Sequence, residues 1–142
     1  MKSVRQLLQA KGDVVHWVTP ETSVFDALKL MAEKNIGAVL VVTEDRVVGI
    51  MTERDYARKV ILFGKSSREM MVREIMSDKI ISVQPGQTVE ECMALMTNKR
   101  VRHLPVMDGG RLAGLLSIGD LVKEVIAEQE QTIRQLESYI HN

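Results

Sequence analysis

The heptapeptide Gly49-Ile50-Met51-Thr52-Glu53-Arg54-Asp55 occurs a second time in this chain as Gly114-Leu115-Leu116-Ser117-Ile118-Gly119-Asp120. The similarity extends outward from the heptapeptides, because residues 18–56 align without a gap on residues 83–121. Both copies contain, in the same order, a Val-x-Pro turn, an amphipathic helix, an apolar strand and a second strand with the glycine. The chain therefore contains one structural unit written twice.

The composition of the chain limits the classes of function. A chain of 142 residues has the length of about one domain, so the two copies are expected to share a core. Basic and acidic residues are equal in number at 19 each, which argues against nucleic-acid binding through bulk positive charge. Aromatic residues make up only 4% of the chain, so an aromatic platform for RNA bases is also disfavoured.

The sequence also bears on the cellular compartment. Residues 1–8 lack the apolar core of a signal peptide, and no apolar run reaches the roughly 18 residues that span a bilayer. The single cysteine, Cys92, excludes an intramolecular disulfide and fits a reducing compartment. These observations predict a soluble cytoplasmic protein without a membrane partner.

Hydrophobic periodicity predicts a β-α-β-β-α order in each copy, which is an α+β fold with α/β-like units. Apolar residues at helical spacing follow Ser23 and Thr88, whose hydroxyls are expected to cap two helices. Two β-rich runs separated by a turn follow each helix and predict a hairpin. The predicted strands are residues 38–42 and 47–51 in the first copy, and residues 103–107 and 112–116 in the second.

The repeat boundaries predict how the chain is organised. The first unit with its lead-in is residues 1–63, the linker is 64–71, the second unit is 72–127, and a C-terminal helical extension is 128–142. The lead-in Val4–Leu8 is similar to Val72–Met76, but it lies three residues further from its Val-x-Pro turn. The first copy is therefore expected to carry an insertion around Ala10 to Asp13.

A closing helix is expected to follow each heptapeptide. The residues predicted for its buried stripe are Tyr56, Val60 and Ile61 in the first copy, and Leu121, Val122, Val125 and Ile126 in the second. Apolar residues then continue into the extension at spacings close to 3.5, as Val122, Ile126, Ile133, Leu136 and Ile140, interrupted by Gln129. This pattern leaves open whether the extension packs on its own domain or on a second subunit.

Each heptapeptide could hold a ligand. A helix that begins at Thr52 or Ser117 presents free backbone N–H groups and a partial positive charge, which favour a phosphate. The ionised Asp55 and Asp120 accept hydrogen bonds only, which suits a ribose diol. The alternative is that Ser/Thr-x-x-Asp merely caps the helix, although capping boxes prefer Glu or Gln at the third position. The shorter Asp in both copies therefore favours a nucleoside-phosphate site.

Cations near the heptapeptides differ between the copies. They are Arg54 and Arg58 on the first closing helix, and Arg100, Arg102 and His103 before the second copy's strand. Such groups bind phosphate oxygens, or alternatively form a solvated basic edge. Gly119 takes the place of Arg54, and Gly37 and Ala38 take the places of Arg102 and His103. Two sites of unequal affinity or phosphate preference are predicted.

Catalysis is not supported by the sequence. Cys92 falls on the apolar face of a helix and is expected in the core. The three histidines, His16, His103 and His141, have no metal-ligand spacing, and no P-loop or dinucleotide-binding glycine motif is present. The chain is therefore expected not to be an enzyme.

Three motifs resemble those of the CBS-domain family, named after cystathionine β-synthase. They are Val18-Thr19-Pro20 with Val83-Gln84-Pro85, the strand entries Asn35-Ile36-Gly37-Ala38 and Arg102-His103-Leu104-Pro105-Val106, and the two heptapeptides. The resemblance covers nearly the whole chain and is to stand-alone pairs from bacteria and plant organelles. It implies two β-α-β-β-α units packed as a pseudo-twofold pair, called a Bateman module, which commonly forms a disc-shaped homodimer.

The resemblance also implies a ligand and its contacts. Family clefts between the two units hold AMP, ADP or ATP, and sometimes NAD or S-adenosylmethionine. Asp55 and Asp120 would then bind ribose hydroxyls, and Thr52 and Ser117 would contact ribose or phosphate. The adenine would lie near Val15, Val18, Ile81 and Val83, and the remaining implied contacts are Arg54, Arg58, Arg102, His103, Pro105 and Gly119.

The main hypothesis is a non-catalytic regulatory module for signal transduction that binds adenine nucleotides and acts on a protein partner that the sequence does not identify. One alternative is a ligand-free interaction or dimerisation domain whose Ser/Thr-x-x-Asp motifs only cap helices. A third is an enzyme that hydrolyses a nucleotide, for which the sequence offers no metal ligands and no positioned base.

Overall fold

The computed structural model describes residues 2–12 and 14–141, and its elements follow the order that the repeat predicts. Helix α1 spans Val4–Lys11. The first copy then contains β1 (Trp17–Val18), α2 (Val24–Lys34), β2 (Ala38–Thr43), β3 (Arg46–Thr52) and α3 (Glu53–Tyr56), which continues as a π-helical turn, Ala57–Ile61. The second copy contains a 3-10 turn (Val72–Glu74), α4 (Val89–Lys99), β4 (His103–Asp108), β5 (Arg111–Ser117) and α5 (Ile118–His141). The α+β class is confirmed.

The first long helix of each copy starts and stops as the sequence predicts. The hydroxyl of Ser23 accepts a hydrogen bond from the backbone N–H three residues later at 3.0 Å, and that of Thr88 does the same at 3.2 Å. The helices end at left-handed residues, Asn35 with φ 54° and Arg100 with φ 56°. Capping at the N-terminus and a left-handed residue at the C-terminus therefore bound both helices.

Each copy forms its predicted antiparallel hairpin, β2 with β3 and β4 with β5. Both turns place two residues at positive φ, which matches the twist of the flanking strands. In the first copy these are Glu44 at 49° and Asp45 at 61°; in the second they are Gly109 at 59° and Gly110 at 84°. The glycines adopt this conformation without the strain that a side chain introduces, so the second turn has the lower backbone cost.

The opening strand differs between the copies. In the first copy β1 pairs in parallel with β2. In the second, Val83 forms a single parallel bridge to Val106, through backbone hydrogen bonds of 2.9 Å to Pro105 and from Met107.

The lead-in segments are exchanged between the two copies. The chain divides into a central unit, Val15–Ile80, and a terminal unit, Met1–Val14 with Ile81–Asn142. Helix α1 of the first copy therefore lies in the unit of the second copy, and the turn at Val72–Glu74 lies in the unit of the first. The repeat boundaries predicted at residues 63 and 72 follow chain order, whereas this division follows packing and places each lead-in with the other copy.

Backbone hydrogen bonds and core residues anchor each exchanged lead-in. In the terminal unit the N–H of Val4 donates to the carbonyl of Gln87 at 2.8 Å, and Val4 and Leu7 are buried. In the central unit the N–H of Val72 donates to the carbonyl of Thr22 at 2.8 Å, and Val72 is buried. Each unit has its own core cluster, and each cluster contains residues of both copies.

The heptapeptide glycines pack closely against the lead-ins. A Cβ on Gly114 would lie 2.5 Å from Leu8 Cδ2, and a Cβ on Gly49 would lie 2.6 Å from Met76 Sδ and 3.0 Å from the carbonyl oxygen of Ser77. Leu8 and Met76 are equivalent residues of the two lead-ins. The absence of a Cβ on each glycine thus makes room for a lead-in side chain.

The predicted burial of the apolar residues is observed in part. Cys92 is fully buried, as predicted, and Val60 and Leu121 are buried within the closing helices. The predicted stripes are otherwise too wide. Ile61, Val122 and Ile126 are 56%, 40% and 51% exposed, because the π-helical turn changes the angle at Ile61 and only one face of α5 packs on the core. Tyr56 and Val125 are partly buried against their cores.

Substituting alanine for the two glycines is expected to have unequal effects. Gly49→Ala places a methyl group against the backbone oxygen of Ser77, which is fixed by the pair of hydrogen bonds between Ile50 and Ser77. Gly114→Ala meets only the end of the Leu8 side chain, which can change rotamer. We expect Gly49→Ala to lower the free energy of unfolding by about 2–3 kcal/mol and Gly114→Ala by about 1 kcal/mol. Urea unfolding measures both, and equal losses would contradict this interpretation.

Candidate functional site

The hydroxyl and carboxylate of the first heptapeptide are joined to each other at the start of α3. Asp55 Oδ2 accepts from the Thr52 backbone N–H at 2.9 Å and from the Thr52 hydroxyl at 3.1 Å. In return, Thr52 Oγ1 accepts from the Asp55 N–H at 3.1 Å. The N–H of Glu53 donates to the carbonyl of Gly37 at 3.1 Å, so the preceding strand entry also secures the helix start.

The second heptapeptide repeats this geometry at the start of α5. Asp120 Oδ2 accepts from the Ser117 N–H at 2.7 Å and from the Ser117 hydroxyl at 3.0 Å, and Ser117 Oγ accepts from the Asp120 N–H at 3.2 Å. The N–H of Ile118 donates to the carbonyl of Arg102 at 2.8 Å, just as Glu53 does to Gly37. The two sites therefore share one backbone and side-chain framework.

Both motifs are complete capping boxes. The inference that Asp at the third position argues against capping is therefore wrong, because the short carboxylate reaches the cap N–H in both copies. Spacing alone does not produce this arrangement. Ser23 and Asp26 have the same Ser-x-x-Asp spacing, but there only the Ser23 hydroxyl is engaged, and Asp26 is exposed.

Lys11 contacts the second carboxylate, which the sequence did not predict. Its Nζ donates to Asp120 Oδ2 at 2.7 Å and to the carbonyl oxygen of Leu115 at 2.6 Å. Lys11 lies in the last turn of α1, within the insertion expected around Ala10 to Asp13; Asp13 itself lies outside the described residues. No local signal could have indicated this contact, because it requires α1 to pack with the second copy.

The central unit places a different lysine beside its carboxylate. Lys59 Nζ lies 3.4 Å from Asp55 Oδ1 and donates to the carbonyl of Ile75 at 2.8 Å. The two residues are one helical turn apart, so the i, i+4 spacing of Asp55 and Lys59 was a readable signal for this pair. In the second copy Glu124 takes the place of Lys59 and lies 3.4 Å from Lys2. Each carboxylate thus has a lysine, supplied from a different part of the chain.

The environment of Asp120 favours its ionised form. Burial by itself raises the pKa of this carboxyl, but the hydrogen bonds from Lys11 and Ser117 outweigh burial, and the pKa of Asp120 is lowered. His103 is opposite Ser117 in the hairpin register. Burial lowers the pKa of His103, and the charges of Lys11 and Arg102 lower it further, while Asp120 acts in the opposite direction. His103 is thereby held neutral to lower pH.

The predicted arginines lie on the surface. Arg54, Arg58, Arg100 and Arg102 are exposed, and so is Gly119. Within residues 2–12 and 14–141, the side chains of these arginines form no hydrogen bond or ion pair. Their guanidinium groups are free to contact a ligand, although the structure does not bring them onto either carboxylate.

The residues expected near adenine fall into two groups. Val18 and Val83 are buried in the cores of their units, at 8% and 1% exposure, and Pro105 is buried too. Their side chains are used largely for packing. Val15 and Ile81 are only partly buried and keep surface that a base could cover.

A cavity of about 380 Å³ lies in the terminal unit, away from these motifs. It is lined by Arg5, Leu8, Gln9, Gly12, Pro85, Asp108 and Ala113. Neither Ser117 nor Asp120 lines it, so it does not correspond to the site that the sequence predicts.

Metal-binding clusters and membrane-spanning helices are both absent from the described part of the chain. No group of three or more His, Cys, Asp and Glu side chains in it could hold a metal ion. None of its helices has the length and apolarity to cross a membrane. Burial, and to a lesser degree Glu91, raises the pKa of the Cys92 thiol to about 11, so this buried cysteine is a poor nucleophile near neutral pH.

Fold and site together define a tandem β-α-β-β-α repeat protein with one Ser/Thr-x-x-Asp capping box per repeat. The CBS domain model matches residues 10–61 and 72–127, and the chain belongs to the CBS-domain family. The mitochondrial CBS domain-containing protein CBSX3 of Arabidopsis thaliana is 41% identical over 147 residues, which cover 97% of this chain and 71% of that protein. The CBS domain-containing protein YhcV of Bacillus subtilis is 31% identical over 121 residues, which cover 85% of this chain and 84% of that protein.

Solved structures show the same fold. A CBS-domain protein of Burkholderia ambifaria MC40-6, a candidate signal-transduction protein, is 57% identical with a TM-score of 0.87, over 90% of this chain and 96% of that one. The CBS domain pair of protein MJ0100, solved with 5′-methylthioadenosine and S-adenosylmethionine, has a TM-score of 0.80 at 22% identity, over 90% of this chain and 98% of that one. The second likeness concerns the fold alone.

Replacing Lys11 with methionine tests its effect on Asp120. The variant keeps the side-chain length but removes the cation, so the pKa of Asp120 is expected to rise. A carboxyl whose folded-state pKa is lowered contributes stability that is lost as pH falls through that pKa. The acid-induced loss of stability should therefore be smaller and end at a higher pH in Lys11→Met, which near neutral pH should be about 1 kcal/mol less stable than the wild type.

Carbon-detected NMR titration of the Asp120 carboxyl and urea unfolding at several pH values measure these effects. Lys79 is the matched control, because it takes the same place after the second lead-in and is exposed. Lys79→Met should leave both the titration and the stability unchanged. An unchanged Asp120 titration in Lys11→Met would contradict the assigned role.

Proposed function

We propose that this protein is a non-catalytic regulatory module that binds adenine nucleotides at its two Ser/Thr-x-x-Asp sites. The observation that carries this proposal is that the capping hydrogen bonds occupy only one oxygen of each carboxylate. The capping bonds all go to Oδ2 of Asp55 and of Asp120, so Oδ1 of each carboxylate keeps acceptor capacity at the start of a helix, shared in Asp55 with Lys59 at 3.4 Å. A ribose diol offers the two donors that such an oxygen needs, and the helix start suits the phosphate.

Family membership supports the same class of ligand. The CBS pair of MJ0100 binds two adenosine derivatives in its solved structure, and it shares the fold of this chain. AMP, ADP, ATP and NAD all carry the ribose and phosphate that the two sites would bind, so each is a candidate ligand.

The two sites are proposed to differ in affinity. The terminal-unit carboxylate is paired with Lys11 at 2.7 Å and has His103 and Arg102 nearby. The central-unit carboxylate has Lys59 at the longer distance of 3.4 Å, with Arg54 and Arg58 on the same helical segment. A ribose that binds Asp120 must share that carboxylate with a closer cation than one that binds Asp55.

Isothermal titration with AMP, ADP, ATP and NAD tests the proposal. The wild-type protein should bind at least one of them in two resolvable events, and Asp55→Ala and Asp120→Ala should each remove one event. Asp26→Ala is the matched control, because it has the same Ser-x-x-Asp spacing in an exposed position. A ligand at 100 times its dissociation constant adds about 2.7 kcal/mol of stability, which should be lost with the site. No heat with any of these ligands at millimolar concentration would refute the proposal.

The completeness of both capping boxes favours one alternative, a ligand-free interaction domain. In that case Asp55→Ala and Asp120→Ala should each cost about 1 kcal/mol of stability from the lost cap, and nucleotides should not change the melting temperature of any variant. The same titrations and melts thus separate the two functions.

The remaining parts of the proposal concern activity, assembly and location. A phosphate-release assay with ATP should stay at background, as expected of a binding module without a catalytic step. The protein is proposed to act as a homodimer on a separate protein partner in the cytoplasm, although the similar Arabidopsis protein is mitochondrial.

A further inference from the structure

Helix α5 carries an apolar seam that the terminal unit does not cover. Its members, with their exposed fractions, are Val122 at 40%, Ile126 at 51%, Ile133 at 54%, Leu136 at 57% and Ile140 at 75%. They alternate at spacings of four and three residues, with Gln129 at the remaining position of the pattern. A repeat of 3.5 residues keeps one face of a helix against a partner helix. The seam therefore has the geometry of a helix-pairing surface.

The second half of α5 contributes no residue to either core cluster of the described chain. Every residue from 129 to 141 is exposed, yet α5 is one continuous helix to His141. A helical segment of this length is marginal in water without packing against an apolar face. A partner along the seam would supply that packing.

We propose that α5 pairs with α5 of a second copy of this chain in antiparallel orientation. This inference deepens the homodimer part of the proposed function and does not depend on nucleotide binding. In the antiparallel register a twofold axis passes between the two helices at the height of residue 131. Val122 then lies opposite Ile140 of the second copy, and Ile126 lies opposite Leu136. Gln129 lies opposite Ile133. Each apolar seam residue thus meets the seam of the other helix along its whole length.

The residues that flank the seam are complementary in this orientation. Lys123 lies beside Glu137 of the second copy, and symmetry repeats this pair at the other end. Neither side chain has an ion pair within residues 2–12 and 14–141 of one chain. On the other flank Val125 lies beside Tyr139 of the second copy, which covers an aromatic ring that is 84% exposed in one chain. Two ion pairs and two apolar contacts therefore result from one register.

Like charges meet only at the centre of this register, where Glu130 lies beside its own copy. Arg134 reduces the cost, because its Nη2 lies 3.8 Å from Glu130 Oε2 within each helix. A parallel pair is less favourable. It would place Gln129 against Gln129 and Lys123 beside the apolar Ile118. The position that would flank Tyr139 lies beyond the end of α5 at His141, so no residue of the helix would cover the ring.

The test is the number of chains per particle, measured by sedimentation equilibrium of the full chain over a range of concentrations. Ile133→Glu puts a charge in the centre of the seam and should halve the number of chains in the assembly. Gln131→Glu adds the same charge on the opposite face of the same helix and should leave the number unchanged. A wild-type monomer at all concentrations, or an assembly unaffected by Ile133→Glu, would overturn the proposal.

A charge exchange tests the antiparallel orientation. Lys123→Glu and Glu137→Lys should each raise the dissociation constant about threefold to tenfold, because two symmetric pairs are affected. The double variant restores opposite charges across an antiparallel pair and should return the constant to that of the wild type. A double variant no tighter than the single variants would overturn the antiparallel register.

Nucleotide titration of Ile133→Glu separates this inference from the proposed function. Both proposals are supported if the wild type assembles, Ile133→Glu dissociates the assembly, and the dissociated variant still binds nucleotide. Loss of assembly together with absence of nucleotide binding in the wild type supports the pairing and refutes the sensor. Circular dichroism confirms that the variant is folded.

Discussion

The approach of each lead-in segment to the glycine of the other copy is the constraint on which the rest of the structure depends. A Cβ on Gly114 would meet the Leu8 side chain, and a Cβ on Gly49 would meet both the Met76 side chain and the backbone oxygen of Ser77. Met76 and Leu8 each pack against the core cluster of their unit, and helix α1, which contains Leu8, also places Lys11 beside Asp120. The capping boxes begin at Thr52 and Ser117, the last residues of the two strands that contain these glycines.

The exchange also explains why similar copies have dissimilar sites. The first lead-in forms helix α1, and the second forms only a 3-10 turn, so the inserted residues extend one lead-in by about a helical turn. Lys11 lies in that additional turn and reaches a carboxylate in the other copy. In the central unit the corresponding space is served by Lys59 from the closing helix itself. A small difference in chain length between the repeats is thereby converted into a difference in charge at the sites.

Local features of this protein follow from the sequence, and long-range ones do not. The starts and ends of α2 and α4, the hairpins and the buried Cys92 depend on residues close in the chain, and periodicity and caps were sufficient to predict them. Each lead-in could pack with either copy of the repeat, and the two copies have such similar local patterns that the sequence does not show which one it contacts. The contact of Lys11 with Asp120 depends on that choice. The excess width predicted for the buried stripes has another cause, since apolar residues on α5 serve a second face that periodicity does not separate from the first.

The exchanged lead-ins mean that one copy of the repeat is not a complete folding unit. A chain with a single copy would leave its glycine strand open and its lead-in without a core, and two such chains would complete each other only by meeting in solution. Joining the copies in one chain makes that encounter intramolecular, at an effective concentration set by the linker rather than by the cell. The duplication that organises this sequence is thus the covalent form of what two separate single-repeat chains would otherwise achieve by association.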